Sequence, residues 1–146
     1  MVDVDYAIDD ANPFIWGHHC FPPSAHASNT AGMWQLYQFP LCPFSRKVRL
    51  LLGEKGIGYQ LVRESPWERR DEFMDMNPAG ETPVMVDASR PGAPLIDSMA
   101  ICEYFEETVD KAATINGTAA NRAEIRRLVT WFDTHFYRDV TGPLLH

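Results

Sequence analysis

The sequence predicts an α/β domain: a four-stranded mixed sheet with helices on both faces. Three observations carry that reading. Four short apolar runs, near 34–39, 59–63, 83–86 and 94–96, have the length of strands. Stretches with helical spacing lie between the first three runs and after the fourth, which gives the order β-α-β-α-β-β-α. Strands joined across a helix run parallel, and the last two runs are close enough to pair as a hairpin.

Each element has its own justification. The first strand runs from about Trp34 to Phe39. The helix after it carries Phe44, Val48, Leu51 and Leu52 on one face, while Arg46, Lys47, Arg49 and Lys55 lie off that face and read as a solvated surface. Gly56 and Gly58 end it. Tyr59 to Arg63 is the second strand, and Ser65-Pro66-Trp67-Glu68 is a loop. A short helix near Arg70 to Met76 stops at Asn77-Pro78, because the residue before proline is disfavoured in the helical region. Pro83 to Val86 and Pro94 to Ile96 are the last strands, separated by turn residues from Ser89 to Gly92. Ser98 is expected to cap a third helix, with Met99, Ile101, Cys102 and Phe105 as its apolar positions. Cys102 reads as core.

Further on, Asn121 and Glu124 stand three apart, as in a capping box with Asn as the cap. A fourth helix follows, with Ile125, Leu128, Val129, Phe132 and Phe136 as an apolar stripe, expected to end before Gly142-Pro143. One helix cannot bury such a stripe on itself, so it must pack on the first domain, on further helices or on another subunit. Trp67 and Phe73 read as packing or interface residues, and His135 as structural.

Composition narrows the function classes. With 146 residues, the chain suits one domain and part of another. A net charge of −7 argues against nucleic acid, which needs a basic face. No apolar run approaches the ~18 residues of a membrane span. Three cysteines (Cys20, Cys42 and Cys102) make no disulfide framework, which fits a reducing, cytoplasmic setting. Residues 1–32 contain four acidic residues, no Lys or Arg, and prolines at 13, 22 and 23. They lack the features of a targeting peptide and read as a disordered extension, with Met33 as a candidate start. His18, His19, Cys20 and His26 lie close in that stretch but lack the spacing of a structural metal site, so no metal is expected.

The richest chemistry lies at Pro40-Leu41-Cys42-Pro43-Phe44-Ser45. Cys42 sits where a strand gives way to a helix, with Pro43 at the first helical position, where its missing N–H costs nothing. The free N–H groups and dipole of a helix N-terminus favour negative charge, and the thiolate is the nucleophilic form of cysteine. Ser45 stands where a dithiol motif would have its second cysteine. Such a site favours chemistry with an external thiol over an internal disulfide.

Three blocks give the sequence from Met33 to Leu145 a family resemblance. Cys42-Pro43-Phe44-Ser45 resembles the active-site turn of the cysteine-type glutathione transferases, which include omega transferases and dehydroascorbate reductases. Asn77-Pro78-Ala79-Gly80-Glu81-Thr82-Pro83 resembles the segment that carries the family's cis-proline. Asp97-Ser98, with Ala100, Ile101 and Tyr104, resembles the acidic-Ser motif that opens helix three. Ala123 to Leu145 resembles the first helix of the family's all-α second domain.

The resemblance implies a thioredoxin-like βαβαββα domain at 33–109, a linker at 110–118, and the start of an incomplete helical domain at 119–146. It implies glutathione as co-substrate, with a small electrophile or a disulfide as the second substrate. Cys42 would be the reacting thiol. Thr82, before a cis Pro83, would offer its backbone to the cysteinyl part of the tripeptide, and Asp97 and Ser98 would hold its γ-glutamyl end. Dimerisation is a family expectation. Two departures bear on activity. Glu81 brings a negative charge close to glutathione's carboxylates, and an incomplete helical domain lacks most of the second-substrate pocket.

A different function is implied by a second likeness. Ser65-Pro66-Trp67-Glu68-Arg69-Arg70, Asn77-Pro78-Ala79-Gly80 and the Ala123 to Leu145 helix resemble a bacterial subgroup of the fold that binds the tubulin-like division protein FtsZ. The chain would then be a non-catalytic binding module. The Cys-x-x-Ser motif alone is also compatible with a glutaredoxin-like oxidoreductase.

Overall fold

A computed structural model describes residues 34–90 and 92–145. The chain enters the sheet as β1 (Trp34–Gln38), followed by α1 (Pro43–Lys55) and β2 (Tyr59–Arg63). A single 3₁₀ turn (Pro66–Glu68) leads into α2 (Asp71–Met76), then β3 (Val84–Asp87), β4 (Leu95–Ile96) and α3 (Ser98–Thr108). Beyond a linker comes α4 (Ala119–Trp131), which runs on as a π-helical stretch (Phe132–Thr141) and ends in the turn α5 (Gly142–Leu145). The expected extension over residues 1–32, and the His18, His19, Cys20 and His26 group, lie outside the described residues.

The sheet has the order β2-β1-β3-β4. β1 and β2 are parallel, as a helical crossover requires, with Leu36 opposite Leu61. β3 runs antiparallel to β1, with Met85 opposite Leu36, and pairs with β4 as a hairpin. Strand periodicity splits the apolar residues between two faces. Leu36 and Met85 pack with Val48, Leu51 and Leu52 of α1 and with Ile101 and Phe105 of α3. Val84 and Val86 pack with Phe73 of α2 on the opposite face. All four β3 residues are buried, because helices cover both sides of that strand. Full burial of each such side chain contributes about 1.5–3 kcal/mol.

Gly56 closes α1 as sequence reasoning expects. Its φ of 66° is the left-handed geometry that glycine adopts freely, and its N–H returns to the carbonyls of Gly53 and Leu52.

Four local expectations need correction. Asp97, not Ser98, caps α3, because its positive φ brings the carboxylate over the N–H groups of Met99 and Ala100. Thr118, not Asn121, caps α4, its hydroxyl accepting from the Asn121 N–H at 3.2 Å. The helix does not stop before Gly142-Pro143. Gly142 stays helical and its N–H reaches the carbonyl of Tyr137, and Pro143 sits in the first turn of α5, where no N–H is needed. Lys55 is not part of a solvated surface but is only 2% exposed, held by Glu106 and two carbonyls.

α4 and the π-helical stretch bury no residue completely. They are tied to the sheet domain by side chains. Arg126 grips Glu103 of α3 through two hydrogen bonds of 2.9 Å. Lys47 of α1 pairs with Asp133. The rings of Phe44 and Tyr137 pack 4.8 Å apart. The apolar stripe is largely open: Leu128, Trp131, Phe132, Phe136 and Val140 are exposed, with Phe132 and Phe136 in mutual contact. No helix among the described residues is long and apolar enough to cross a membrane.

Candidate functional site

Cys42 is the N-cap of α1. Its backbone is extended and Pro43 takes the first helical position. Its Sγ accepts from the Ser45 N–H at 3.4 Å, so the thiol serves as the side-chain cap of the helix. The same sulfur donates to the carbonyl of Thr82 at 3.5 Å. A turn in which the Cys42 N–H bonds to Phe39 at 3.0 Å delivers the residue from β1. Ser45 is fully buried, and its Oγ finds no partner among the described residues.

Thr82 and Pro83 are joined by a cis peptide bond, and both are buried. Asn77 builds the loop that presents them. Its side-chain amide donates to the carbonyl of Glu81 at 2.8 Å, its Oδ1 accepts from the Ala79 N–H, and its own carbonyl accepts from Gly80. Gly80 has φ of 71°, a geometry that favours glycine. Asp97, with φ of 78°, turns the chain out of β4 and places Ser98, buried, in the first turn of α3.

These elements meet around a cavity of about 400 Å³. Four sequence-predicted residues (Thr82, Pro83, Asp97 and Ser98) line it together. Cys42 is not in its lining, but its sulfur bonds to Thr82, and Phe44, two residues along α1, forms part of the wall. Of the other lining residues, only Glu81 was placed near the ligand by sequence reasoning, and Asn77, Ala79, Ile96, Asp133 and Thr134 were not. Asn77, Ala79 and Glu81 belong to the cis-proline loop, and the Asn-Pro turn was a signal for them. Asp133 and Thr134 arrive from the π-helical stretch, and nothing local marks them.

Three carboxylates face the cavity: Glu81, Asp97 and Asp133. Asp133 is paired with Lys47, and Asp97 is committed to the N-terminus of α3. Glu81 has no ion-pair partner among the described residues. Beside this cavity is a second one, about 340 Å³, between Lys47 of α1 and the Ile125, Leu128, Val129 and Phe132 side of α4, with Asp133 common to both.

The other candidates fall outside the site. Cys102 is half-buried against the α1–α3 core, and burial pushes its thiol up to about 11. Phe73 is core. Trp67 is 65% exposed and meets Phe39 edge-on at 5.0 Å. His135 is exposed, stacked near Trp131. Among the described residues no group of His, Cys, Asp and Glu is placed to hold a metal ion.

Comparison with known proteins gives the family of this fold. Residues 41–108 match the family described as glutathione S-transferase, N-terminal domain. A "Probable glutathione transferase" of Aplysia californica is 36% identical over 66 residues, which are 45% of this chain and 68% of that protein. The chain belongs to the glutathione S-transferase family. Within that family it is 42% identical to FtsZ-localized protein A of Caulobacter vibrioides, over 76% of this chain and 49% of that protein. A crystal structure of a glutathione S-transferase from Rhodospirillum rubrum F11 superposes with a TM-score of 0.73 at 49% identity, covering 77% of this chain and 50% of the other. A glutathione S-transferase from Methylobacterium radiotolerans, in complex with glutathione sulfonate, superposes with a TM-score of 0.64 at 26% identity, covering 69% and 47%. The chain spans about half the length of the Caulobacter and Rhodospirillum proteins.

Proposed function

We propose that the chain performs glutathione-dependent thiol transfer through Cys42. The observation that carries this reading is the sulfur itself. It caps a helix N-terminus and at the same time touches Thr82, which lines the cavity. A helix N-terminus stabilises negative charge, and a thiol held there is suited to act as a nucleophile. In the reaction, Cys42 as thiolate attacks the glutathionyl sulfur of a mixed disulfide between glutathione and a second thiol. The S–S bond breaks, the second thiol leaves as its thiolate, and a Cys42–glutathione disulfide forms. A further glutathione thiolate attacks this intermediate, frees Cys42 and leaves as glutathione disulfide. Ser45 in place of a second cysteine supports resolution by the external thiol. The γ-glutamyl carboxylate suits the Ser98 hydroxyl and the start of α3, and its ammonium suits Asp97. The relative in complex with glutathione sulfonate adds support for this ligand class.

Incubation of the folded chain with glutathione disulfide, followed by peptide mass mapping, tests the reading. A glutathionyl adduct on Cys42, formed more slowly in Ser98→Ala, supports it. An equal rate in both proteins, or no adduct, overturns it.

A second reading is favoured by the 42% identity to FtsZ-localized protein A. Here the chain is a binding module for FtsZ and its thiol is dispensable. Co-sedimentation with purified FtsZ filaments decides it: equal recovery of wild type and Cys42→Ala supports the reading, and absence from the filament pellet sinks it. For either function, the open stripe of Leu128, Phe132 and Phe136 is suited to cover by a second copy, for which concentration-dependent sedimentation is the measurement.

A further inference from the structure

Building on glutathione chemistry at Cys42, we propose that Glu81 selects glutathione carried as a cationic amide, a tripeptide whose glycyl carboxyl is joined to an amine that bears a positive charge. Free glutathione carries two carboxylates and one ammonium, and it would meet a cavity lined by three carboxylates and no cation. Two of the three are already answered. Asp133 has Lys47. Asp97 has the N–H groups of Met99 and Ala100, at 2.7 and 3.3 Å. Glu81 has neither an ion pair nor a side-chain hydrogen bond among the described residues. Of the two arginines that precede this loop, Arg70 is paired with Glu64, and Arg69 brings its guanidinium up to Gly80. Arg69 lies there on the Met74 side and forms no ion pair with Glu81.

Glu81 directly precedes Thr82 in the chain, and both residues line the cavity. With the γ-glutamyl end at Ser98 and the cysteinyl backbone at Thr82, an extended tripeptide runs on, away from Ser98. Its glycyl end then reaches the part of the wall supplied by Asn77, Ala79 and Glu81. Asn77 holds the Glu81 carbonyl at 2.8 Å, which fixes the stretch of backbone from which the Glu81 side chain departs. A glycyl carboxylate there is repelled, because two carboxylates in one site disfavour each other's charge. An amide at that carboxyl removes the repulsion, and an ammonium beyond it replaces repulsion with attraction. A cavity of about 400 Å³ is within the size range that takes a molecule of this kind.

Calorimetry on the full chain tests this with three probes: glutathione, its neutral glycyl propylamide, and its glycyl amide with diaminopropane, which carries one added ammonium. Wild type is expected to bind the diaminopropane amide about tenfold more tightly than glutathione, with the neutral amide between them. The preference should shrink in 1 M salt. Glu81→Gln should lose the difference between the cationic and neutral amides, and Glu81→Lys should reverse the order in favour of glutathione. Glu81 is exposed, so both variants are expected to fold. Equal binding of all three probes by wild type, or an unchanged preference in Glu81→Gln, overturns the role of Glu81 and leaves glutathione chemistry standing. Failure of every probe to bind wild type and Glu81→Lys, both folded by circular dichroism, overturns the two together.

Discussion

The ammonium of Lys55 lies 3.1 Å from the carboxylate of Glu106, inside the joint between α1, α3 and the linker. Lys55 also donates to the carbonyls of Val109 and Lys111, at 3.0 and 3.3 Å. Glu106 in turn accepts from the N–H groups of Thr114 and Ile115, at 2.8 and 2.9 Å. One buried pair thus anchors the chain as it leaves the sheet domain. Removing one partner of such a pair leaves an uncompensated charge and costs about 3–5 kcal/mol. Lys55→Ala is therefore expected to lower stability by about that amount in urea unfolding. A cost below about 1 kcal/mol would show that water replaces the lysine freely.

The same pair makes the fold sensitive to acid. Burial acts to raise the Glu106 carboxyl, but the hydrogen bonds from Ile115, Lys55 and Thr114 outweigh it, and the group lies below the usual glutamate range. A group whose folded value is depressed contributes stability that is present above its unfolded value and is lost as pH falls through its folded value. Denaturation midpoints should fall as the solution is acidified from the ordinary glutamate range downward. In Glu106→Gln that slope should be shallower. An identical slope in both proteins would remove Glu106 from the account.

Asp97 holds two roles that substitution can separate. As the cap of α3 it accepts two backbone N–H bonds, and its φ is one that glycine adopts without cost. Asp97→Ala should lower stability by about 1–2 kcal/mol, whereas Asp97→Gly should cost only a few tenths. Both should weaken binding of the glutathione γ-glutamyl end to the same extent, if the carboxylate meets the ligand's ammonium. Equal thermal stability of the two variants would contradict the strained-cap account.

Cys102 should be nearly inert toward alkylation in the folded chain. Its thiol is pushed up to about 11 by burial, so at neutral pH very little is thiolate. Iodoacetamide labelling of Cys102 is expected to be on the order of a hundredfold slower than in the urea-unfolded chain. Comparable rates in the two states would mean that α3 opens readily.

Lys47 and Asp133 join α1 to the π-helical stretch, with Asp133 in the wall of the cavity. Both are partly exposed, so the pair should be worth less than about 1 kcal/mol of global stability. Its local effect should be larger. Asp133→Asn is expected to raise amide hydrogen exchange through 132–141 while leaving β1 and β3 protected. Unchanged exchange would indicate that the Phe44–Tyr137 contact is sufficient by itself.

Much of the site was legible because its signals are local. A cysteine followed by proline marks a helix mouth wherever the helix packs. Asn77-Pro78 marks a turn for reasons of backbone sterics. Lys55 shows the opposite case. Its spacing, seven after Val48 and four after Leu51, puts it on the buried face of α1, but its charge argues for the surface, and only Glu106 and the carbonyls 54 and 56 residues away satisfy an ammonium in that interior position. The capping of α3 was misplaced by one residue, because Ser98 and Asp97 have similar cap chemistry and the positive φ at Asp97 selects between them.

The sequence by itself determined the order of elements, the thiol at the start of α1 and the three motif blocks. Hydrophobic period, turn chemistry and helix-end preferences act over a few residues and need no partner. The tertiary structure alone decided the partners that hold the Lys55 charge inside, the passage of the helix through Gly142 and the arrival of Asp133 and Thr134 beside Ser98. These depend on the distance and register at which segments far apart in the chain pack on the sheet, and Asp133 meets Lys47 across 86 residues. The charge that the cavity presents to a ligand is the sum of such meetings, and for that reason no single stretch of the chain announced it.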